Sequence, residues 1–181
     1  MGQAFAVWLT GLPASGKSAI ARELRDRLAT AGVSVDVLES DEVRKMLTPA
    51  PTYSLEERDV FYRALAFLGS RLVLHGVPVI LDATATKRAY RDLARSLIPR
   101  FLEVAVVCPM EICRQRDHKG TYRRGEEGLS RTVPGLHDPY EPPLHPELTV
   151  DTARCNPREA ADRIFRLLQD RGYLSTVREP R

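Results

Sequence analysis

The clearest candidate for chemistry in this sequence is a glycine-rich run, GLPASGKS. Its two glycines, Gly11 and Gly16, stand five positions apart and are followed directly by Lys17 and Ser18. This spacing lets the backbone N–H groups of a turn face the phosphates of a nucleotide. We expect Lys17 to bridge the β and γ phosphates and Ser18 to be a ligand of Mg²⁺. The residues expected at the nucleotide are Gly11, Leu12, Pro13, Ala14, Ser15, Gly16, Lys17 and Ser18.

A second candidate, ESDEVR, follows the second apolar run of the chain. Ligands of open α/β sheets bind beyond the carboxyl ends of the strands, so Asp41 and Arg44 would lie at the same edge as the glycine-rich run. A structural explanation is equally open. Ser40 can cap a helix whose dipole Asp41 and Glu42 merely complement.

The third candidate is a basic stretch, RQRDHKGTYRR, at residues 114–124. Gly120 offers a hinge, and a mobile segment that carries cations over the transferring phosphates is what phosphoryl transfer requires. The alternative is a solvated helix face. The cations in question are Arg114, Arg116, Lys119, Arg123 and Arg124. We expect a basic lid over about residues 114–140, with Arg116 at the nucleotide.

Five short apolar runs must position these residues: FAVWL, VDVL, VPVIL, LEVAVV and LTV. Helical patterns lie between them, which predicts an α/β fold with a five-stranded parallel sheet flanked by helices. After the glycine-rich run, Ile20, Leu24 and Leu28 repeat at helical spacing and Gly32 follows as a stop. The candidate phosphate site is therefore a strand, a turn and a helix.

Capping signals predict two further helices. One begins at Ser54, with Glu57 three residues on, and runs to Gly76; the other begins at Asn156, with Pro157 and Glu159, and ends near Gly172. A proline-rich segment at 134–146 predicts a non-helical connection. We expect a single domain over residues 1–172 and a frayed tail over 173–181.

Composition excludes several classes of function. The chain has 181 residues, 43% of them hydrophobic, and a net charge of +3, which suits one sizeable domain and anionic small molecules. It has no basic stripe with interleaved aromatic residues, so we expect no nucleic-acid partner. No apolar run approaches the roughly 20 residues of a membrane helix, and we expect no membrane association and a cytoplasmic location. Cys108, Cys113 and Cys155 show no metal-ligand spacing and are expected to be reduced.

Taken together, the motifs resemble those of the adenylyl-sulfate kinases. They run in that family's order over residues 5–152: WLTGLPASGKS, VLESDEVR, YSLEERD, PMEICRQRDHKGTY, HDPYEPPLHPEL and VDT. The resemblance implies a P-loop kinase that transfers the γ-phosphate of ATP, with Mg²⁺, to the ribose 3′-hydroxyl of adenylyl sulfate. It also implies a homodimer.

The resemblance further implies roles for individual residues. Asp41 would accept the proton of the hydroxyl, and Lys17 and Lys119 would act with it in catalysis. Arg44 and Arg58 match the arginines that bind the phosphosulfate. Tyr53 and Val133 stand where side chains of the family pack on the two faces of the acceptor's adenine.

Three departures from the family leave the acceptor open. Phe61 replaces an asparagine, Val133 replaces a phenylalanine, and Asp82 with Thr84 resembles kinases that phosphorylate other hydroxyls. Asp82 is either a second Mg²⁺ ligand or a residue that caps a turn. The alternatives are a related kinase with another acceptor or, where Asp41 serves only as a cap, a regulatory subunit that binds nucleotide.

Overall fold

The fold is a parallel sheet covered by helices on both faces, as the pattern of apolar runs predicts. The structure is a computed structural model, and it describes residues 4–174. The strands are β1 (Ala6–Thr10), β2 (Asp36–Glu39), β3 (Val79–Asp82), β4 (Phe101–Val107) and β5 (Leu148–Asp151). Their order in the sheet is β2-β3-β1-β4-β5, with every pair parallel. All five predicted strands are confirmed within a residue or two of their expected limits.

Seven helices connect and follow the strands in the described part of the chain. They are α1 (Lys17–Thr30), α2 (Ser40–Leu47), α3 (Leu55–Leu74), α4 (Arg88–Leu97), α5 (Met110–Gln115), α6 (Thr121–Glu126) and α7 (Pro157–Asp170). Apolar residues of α1 and α7 pack on one face of the sheet, and those of α3 and α4 pack on the other. Strand β1 is buried along its whole length because both faces of the sheet are covered. Its carboxyl end, from which the glycine-rich run departs, is thereby held in place.

The helix termini follow the capping signals with one correction. Asn156 and Glu159 form a reciprocal capping box at the start of α7. Ser54 caps α3 by accepting a hydrogen bond from the Glu57 N–H. The Glu57 side chain does not complete a second box, because its carboxylate binds Thr52, Tyr53 and Arg44 instead.

A small third cluster supports the basic stretch and the segment after it. Cys113, Tyr122 and Val133 are buried there, and Leu12 of the glycine-rich run packs against them. Helices α5 and α6 are short, and residues 134–146 contain no helix, as expected. This segment therefore rests on its own small core beside the candidate phosphate site.

The PYEPP segment serves as scaffold. The Tyr140 hydroxyl lies 2.9 Å from Thr10 Oγ1, and the Glu141 N–H donates to the Thr86 carbonyl. The buried Arg91 side chain donates to the Glu141 carbonyl and pairs with Glu103 on β4 at 2.6 Å. These contacts fix the loop after β3 against the sheet.

The expected fraying does not include residues 173 and 174. Tyr173 stacks on Phe5 with ring centroids 6.3 Å apart, and Leu174 is buried in the main core. The rest of that expectation, for residues 175–181, lies outside the described residues. Among residues 4–174, no helix is both long enough and apolar enough to cross a membrane.

Candidate active site

The glycine-rich run forms a tight turn between β1 and α1. Gly16 has a φ of 103° and Ala14 a φ of 57°, both in the left-handed region that turns of this kind use. A Cβ atom on Gly11 would lie 2.2 Å from the Val106 carbonyl oxygen, so only glycine fits there. The Ser15 hydroxyl is buried and has no hydrogen-bond partner among residues 4–174. The loop leads directly into the N-terminus of α1, where backbone N–H groups favour a bound phosphate.

Lys17 opens α1 with its ammonium turned back over this loop. Its Nζ donates to the carbonyls of Gly11 and Leu12, at 3.0 and 2.9 Å. Burial lowers the pKa of Lys17, and the nearby Asp82 acts in the opposite direction. A buried ammonium is stabilised more by an anion than by neutral carbonyls, so the Lys17 ammonium would favour a phosphate oxygen as its partner.

Asp82 ends β3 directly beside this loop. Asp82 is 3% exposed, and its carboxylate lies near the Ser18 side chain. Burial raises the pKa of Asp82, while Lys17 lowers it. This placement favours the metal-ligand explanation over the turn cap, because the carboxylate faces the hydroxyl expected at Mg²⁺. Within residues 4–174, no cluster of three or more histidine, cysteine or acidic side chains could hold a metal by itself. A Mg²⁺ ion held by Ser18 and Asp82 would need phosphate oxygens and water as its other ligands, which is usual for this ion.

Asp41 lies in the first turn of α2, across from the phosphate loop. The cap of this helix is Glu39, and the cap makes no side-chain hydrogen bond, so Ser40 is not the capping residue. The Asp41 carboxylate instead accepts a hydrogen bond of 2.5 Å from Lys119 Nζ. This hydrogen bond raises the pKa of Lys119, although burial acts against it. Asp41 and Glu42 do lie in the first turn of α2, as the helix-dipole explanation expects, but Asp41 is not the cap on which the regulatory-subunit alternative depends.

Arg44 faces the same space from the next turn of α2. Its guanidinium lies 3.8 Å from the centre of the Phe61 ring and 5.0 Å from that of Tyr53. It pairs with Glu57 at 3.1 Å. Sequence reasoning assigned Glu57 only to the helix cap and missed its contact with Arg44, which lies 13 residues away on another helix.

Arg58 and Val133 join α3 to the basic segment. Arg58 donates to the Thr132 carbonyl at 2.5 Å and pairs with Asp138 at 2.9 Å. Val133 follows Thr132, but its side chain is 3% exposed and packs with Cys113 and Tyr122. In this arrangement Val133 supports the segment from within and offers little surface to a base.

Two further contacts tie the basic segment to the phosphate loop. Arg116 donates to the carbonyl and hydroxyl of Thr152 at 3.0 and 3.1 Å. The Thr152 hydroxyl in turn donates to the Ser15 carbonyl at 2.7 Å. The Tyr122 hydroxyl donates to the Pro13 carbonyl at 3.0 Å. Thr152 and Tyr122 belong to the motifs VDT and RQRDHKGTYRR, but no local pattern predicts these contacts, since the partners are distant in the chain.

The basic stretch is therefore divided between two roles. Arg116 and Lys119 reach the loop and Asp41, whereas Arg114 pairs with Glu126 on the surface, with both side chains about half exposed. The solvated-face explanation fits Arg114 and Arg123, which are exposed and do not line the cavity described below, whereas the exposed Arg124 lines it. Gly120, the expected hinge, has a φ of 67° at the start of α6.

A single cavity of about 1380 Å³ joins these groups. Its wall includes the groups expected at the nucleotide, Lys17, Ser18, Asp82 and Arg116, and those expected at the acceptor, Asp41, Arg44, Tyr53, Arg58 and Lys119. Pro13, Ala14, Gly16 and Val133 also line it, whereas Gly11, Leu12 and Ser15 do not. A single small-molecule ligand typically occupies about 300 to 1,000 Å³. The cavity therefore has room for a donor and an acceptor together.

Known proteins match the chain over nearly its full length. The family model described as "Adenylylsulphate kinase" matches residues 3–151. An adenylyl-sulfate kinase of Rippkaea orientalis is 38% identical over 173 residues, which is 96% of each chain. The Mycobacterium tuberculosis APS kinase, solved in complex with AMPPNP and APS, superposes with a TM-score of 0.87 at 30% identity, covering 93% of this chain and 99% of that one. A hexameric APS kinase from Thiobacillus denitrificans superposes with a TM-score of 0.72 at 30% identity, covering 96% of this chain and 30% of that longer one.

Sequence, fold and cavity agree, and the chain belongs to the adenylyl-sulfate kinase family of P-loop kinases.

Proposed function

We propose that this protein transfers the γ-phosphate of ATP to the ribose 3′-hydroxyl of adenylyl sulfate, giving 3′-phosphoadenylyl sulfate and ADP. One observation carries the proposal. The phosphate loop and the group formed by Asp41, Arg44 and Arg58 share one cavity, so a donor phosphate and an anionic acceptor can meet there. The family relationship supplies the names of the two substrates.

The donor half would hold ATP through the loop N–H groups and Lys17. Arg116, already anchored to Thr152, lies at the same wall. A bound Mg²⁺ ion, with Ser18 and Asp82 as its protein contacts, would neutralise charge on the phosphates. Cations fixed around a transferring phosphoryl group stabilise its transition state without reorganisation, which is the main source of rate in this chemistry.

The acceptor half would orient the hydroxyl and remove its proton. Arg44 and Arg58 attract the anionic part of the acceptor, and Tyr53 lies on the same wall. The hydroxyl oxygen forms a bond to the γ-phosphorus as the bond to the bridging oxygen of ADP breaks, and Asp41 takes the proton. Lys119 donates to Oδ2 of the Asp41 carboxylate, which leaves Oδ1 to accept the proton of the hydroxyl.

A second candidate is a related kinase with another acceptor alcohol. It is favoured by Phe61, whose ring sits beneath Arg44 where the family offers a polar contact, and by the buried Val133. Turnover with a panel of alcohols and nucleosides, measured beside adenylyl sulfate, separates the two. If adenylyl sulfate gives product only at the background rate and another alcohol is phosphorylated, the second proposal replaces the first.

The decisive test of the proposed function uses Asp41→Asn with Glu42→Gln as its matched control. Both residues lie in the first turn of α2, so both changes alter the helix dipole alike. We expect Asp41→Asn to lower kcat by about 100- to 10,000-fold, the usual contribution of a general base. Binding of ATP should persist, and Glu42→Gln should stay close to the wild-type rate. Equal rates for the two variants would remove Asp41 from catalysis.

We also propose a single domain over residues 1–172 with a lid at about 114–140, a homodimer, and a cytoplasmic location. Sedimentation velocity with and without both substrates tests the dimer. A monomer under all conditions would exclude it.

A further inference from the structure

The surroundings of Arg44 show how its guanidinium is fixed. Its side chain is 8% exposed, although it lines the cavity. The Phe61 ring lies beneath the guanidinium at 3.8 Å, and the Tyr53 ring lies 5.0 Å away. Such contacts favour a cation and restrict its orientation. Phe61 thus supports the Arg44 guanidinium at the position where the family has an asparagine.

Glu57 fixes the remaining freedom of this group. Its Oε1 accepts hydrogen bonds from Arg44 Nη1 at 3.1 Å and the Tyr53 N–H at 3.3 Å. Its Oε2 accepts from the Thr52 N–H at 2.6 Å and the Thr52 hydroxyl at 2.7 Å. One carboxylate therefore receives four donors from two segments that both face the cavity.

These contacts are not part of the helix cap. Ser54 caps α3 through its own hydroxyl, and the Glu57 side chain points away towards α2. The φ of Tyr53 is 56°, a conformation that is uncommon for an aromatic residue and needs support from its neighbours. The hydrogen bond from the Tyr53 N–H to Glu57 gives that support.

We propose that Glu57 is a positioning residue for the acceptor, which acts by holding Arg44 and the turn at Thr52 and Tyr53 in the cavity wall. The inference rests on the proposed function, since it assigns Glu57 to the binding of an anionic acceptor and leaves nucleotide binding and the chemical step unaffected. Hydrogen bonds from Thr52 and Tyr53 and the charge of Arg44 lower the pKa of Glu57, although burial acts to raise it. The carboxylate is thereby kept ionised for its contact with Arg44.

The test replaces Glu57 by glutamine, which has nearly the same shape. Both carboxylate oxygens face donors, so whichever of them becomes an NH₂ group will oppose an N–H or O–H. We expect Glu57→Gln to weaken the binding of adenylyl sulfate about tenfold. This loss should appear both in KM and in the Kd measured by calorimetry with ADP present. The kcat value and the Kd of a nonreactive ATP analogue should stay within about twofold. Glu57→Asp keeps the charge and should restore part of the affinity. Glu56→Gln, on the same turn and exposed, should behave as wild type.

A double-mutant cycle separates positioning from a merely structural role. If Glu57 acts through Arg44, the effect of Glu57→Gln should shrink to below about threefold in an Arg44→Ala background. Equal losses in both backgrounds would overturn the proposal, as would a Glu57→Gln protein that binds adenylyl sulfate as tightly as wild type.

Failure of the proposed function gives a different pattern. Wild-type protein that binds adenylyl sulfate without turnover would refute the reaction but leave the Glu57 comparison intact. If the wild-type protein binds no adenylyl sulfate, a ligand-free crystal structure of the Glu57→Gln variant tests whether Glu57 positions Arg44. We expect the Arg44 guanidinium to leave its place above Phe61, and an unchanged Arg44 and Tyr53 would overturn the positioning role.

Discussion

Replacing Arg91 by methionine tests how the loop beside the phosphate site is held. Arg91 lies on α4, yet its side chain is 1% exposed. It pairs with Glu103 at 2.6 Å and donates to the carbonyls of Glu141, Lys87 and Ala85. Methionine fills a similar volume but donates to none of these acceptors.

The expected cost follows from these contacts. Removing one partner of a buried ion pair destabilises a protein by about 3 to 5 kcal/mol. Arg95 still pairs with Glu103 at 3.2 Å, so the carboxylate keeps one cation and the lower half of this range is expected. For a domain of this size, about 3 kcal/mol corresponds to a fall in Tm of roughly 6 to 12 °C.

Guanidinium unfolding gives the measurement, with the fluorescence of Trp8 as the probe. Trp8 is the one tryptophan of the chain, is fully buried, and donates to the Ala83 carbonyl at the start of the same loop. The control is Arg88→Met, on the same helix, whose side chain is 39% exposed and 3.7 Å from Glu141. An exposed pair of this kind contributes at most about 1 kcal/mol. If Arg91→Met costs no more than Arg88→Met, the loop is held by other contacts and the reasoning is refuted.

Three further predictions follow from the site and the helix termini. Gly11→Ala should displace the phosphate loop, because its Cβ would lie 2.2 Å from the Val106 carbonyl oxygen. We expect the free energy of unfolding to fall by about 1 to 3 kcal/mol and nucleotide binding, measured by calorimetry, to be lost. Unchanged nucleotide affinity would contradict this geometry. Asp82→Asn should raise Tm at neutral pH but abolish Mg²⁺-dependent turnover. The folded-state pKa of Asp82 lies above its ordinary 3.8, so its ionisation disfavours the folded state and the gain in Tm should shrink as the pH falls towards 3.8; a gain independent of pH would argue against this. Asn156→Ala should lower the free energy of unfolding by about 1 kcal/mol through loss of its capping box, with turnover unaffected; no change in unfolding would mean that the box contributes nothing.

The sequence was most informative where local spacing decides structure. The run from Gly11 to Ser18 forms the turn after β1 and the start of α1, and the capping box at Asn156 is contained within four residues. Both could be predicted because their partners are close in the chain. The order of the strands in the sheet could not be predicted from local spacing, because it depends on contacts between distant segments.

The sequence was least informative where distant partners decide burial. Arg91 lies on a helix with a polar pattern, and only Glu103 and Glu141, which are brought to it by the fold, make it a core residue. Glu57 has the spacing of a capping residue, but the approach of Arg44 directs its side chain elsewhere. Val133 was assigned to the adenine by its place in a motif, but its side chain is buried against Tyr122 of α6.

The position of Arg58 has a thermodynamic consequence. Its guanidinium binds Thr132 and Asp138 of the proposed lid segment, while it also lines the acceptor cavity. An acceptor that draws Arg58 towards itself would weaken those two contacts, so occupancy of the site and the position of this segment would be linked equilibria. Linkage is reciprocal: the factor by which the acceptor shifts the position of the segment equals the factor by which that position changes acceptor affinity. One arginine would thus connect substrate binding to the segment beside the site.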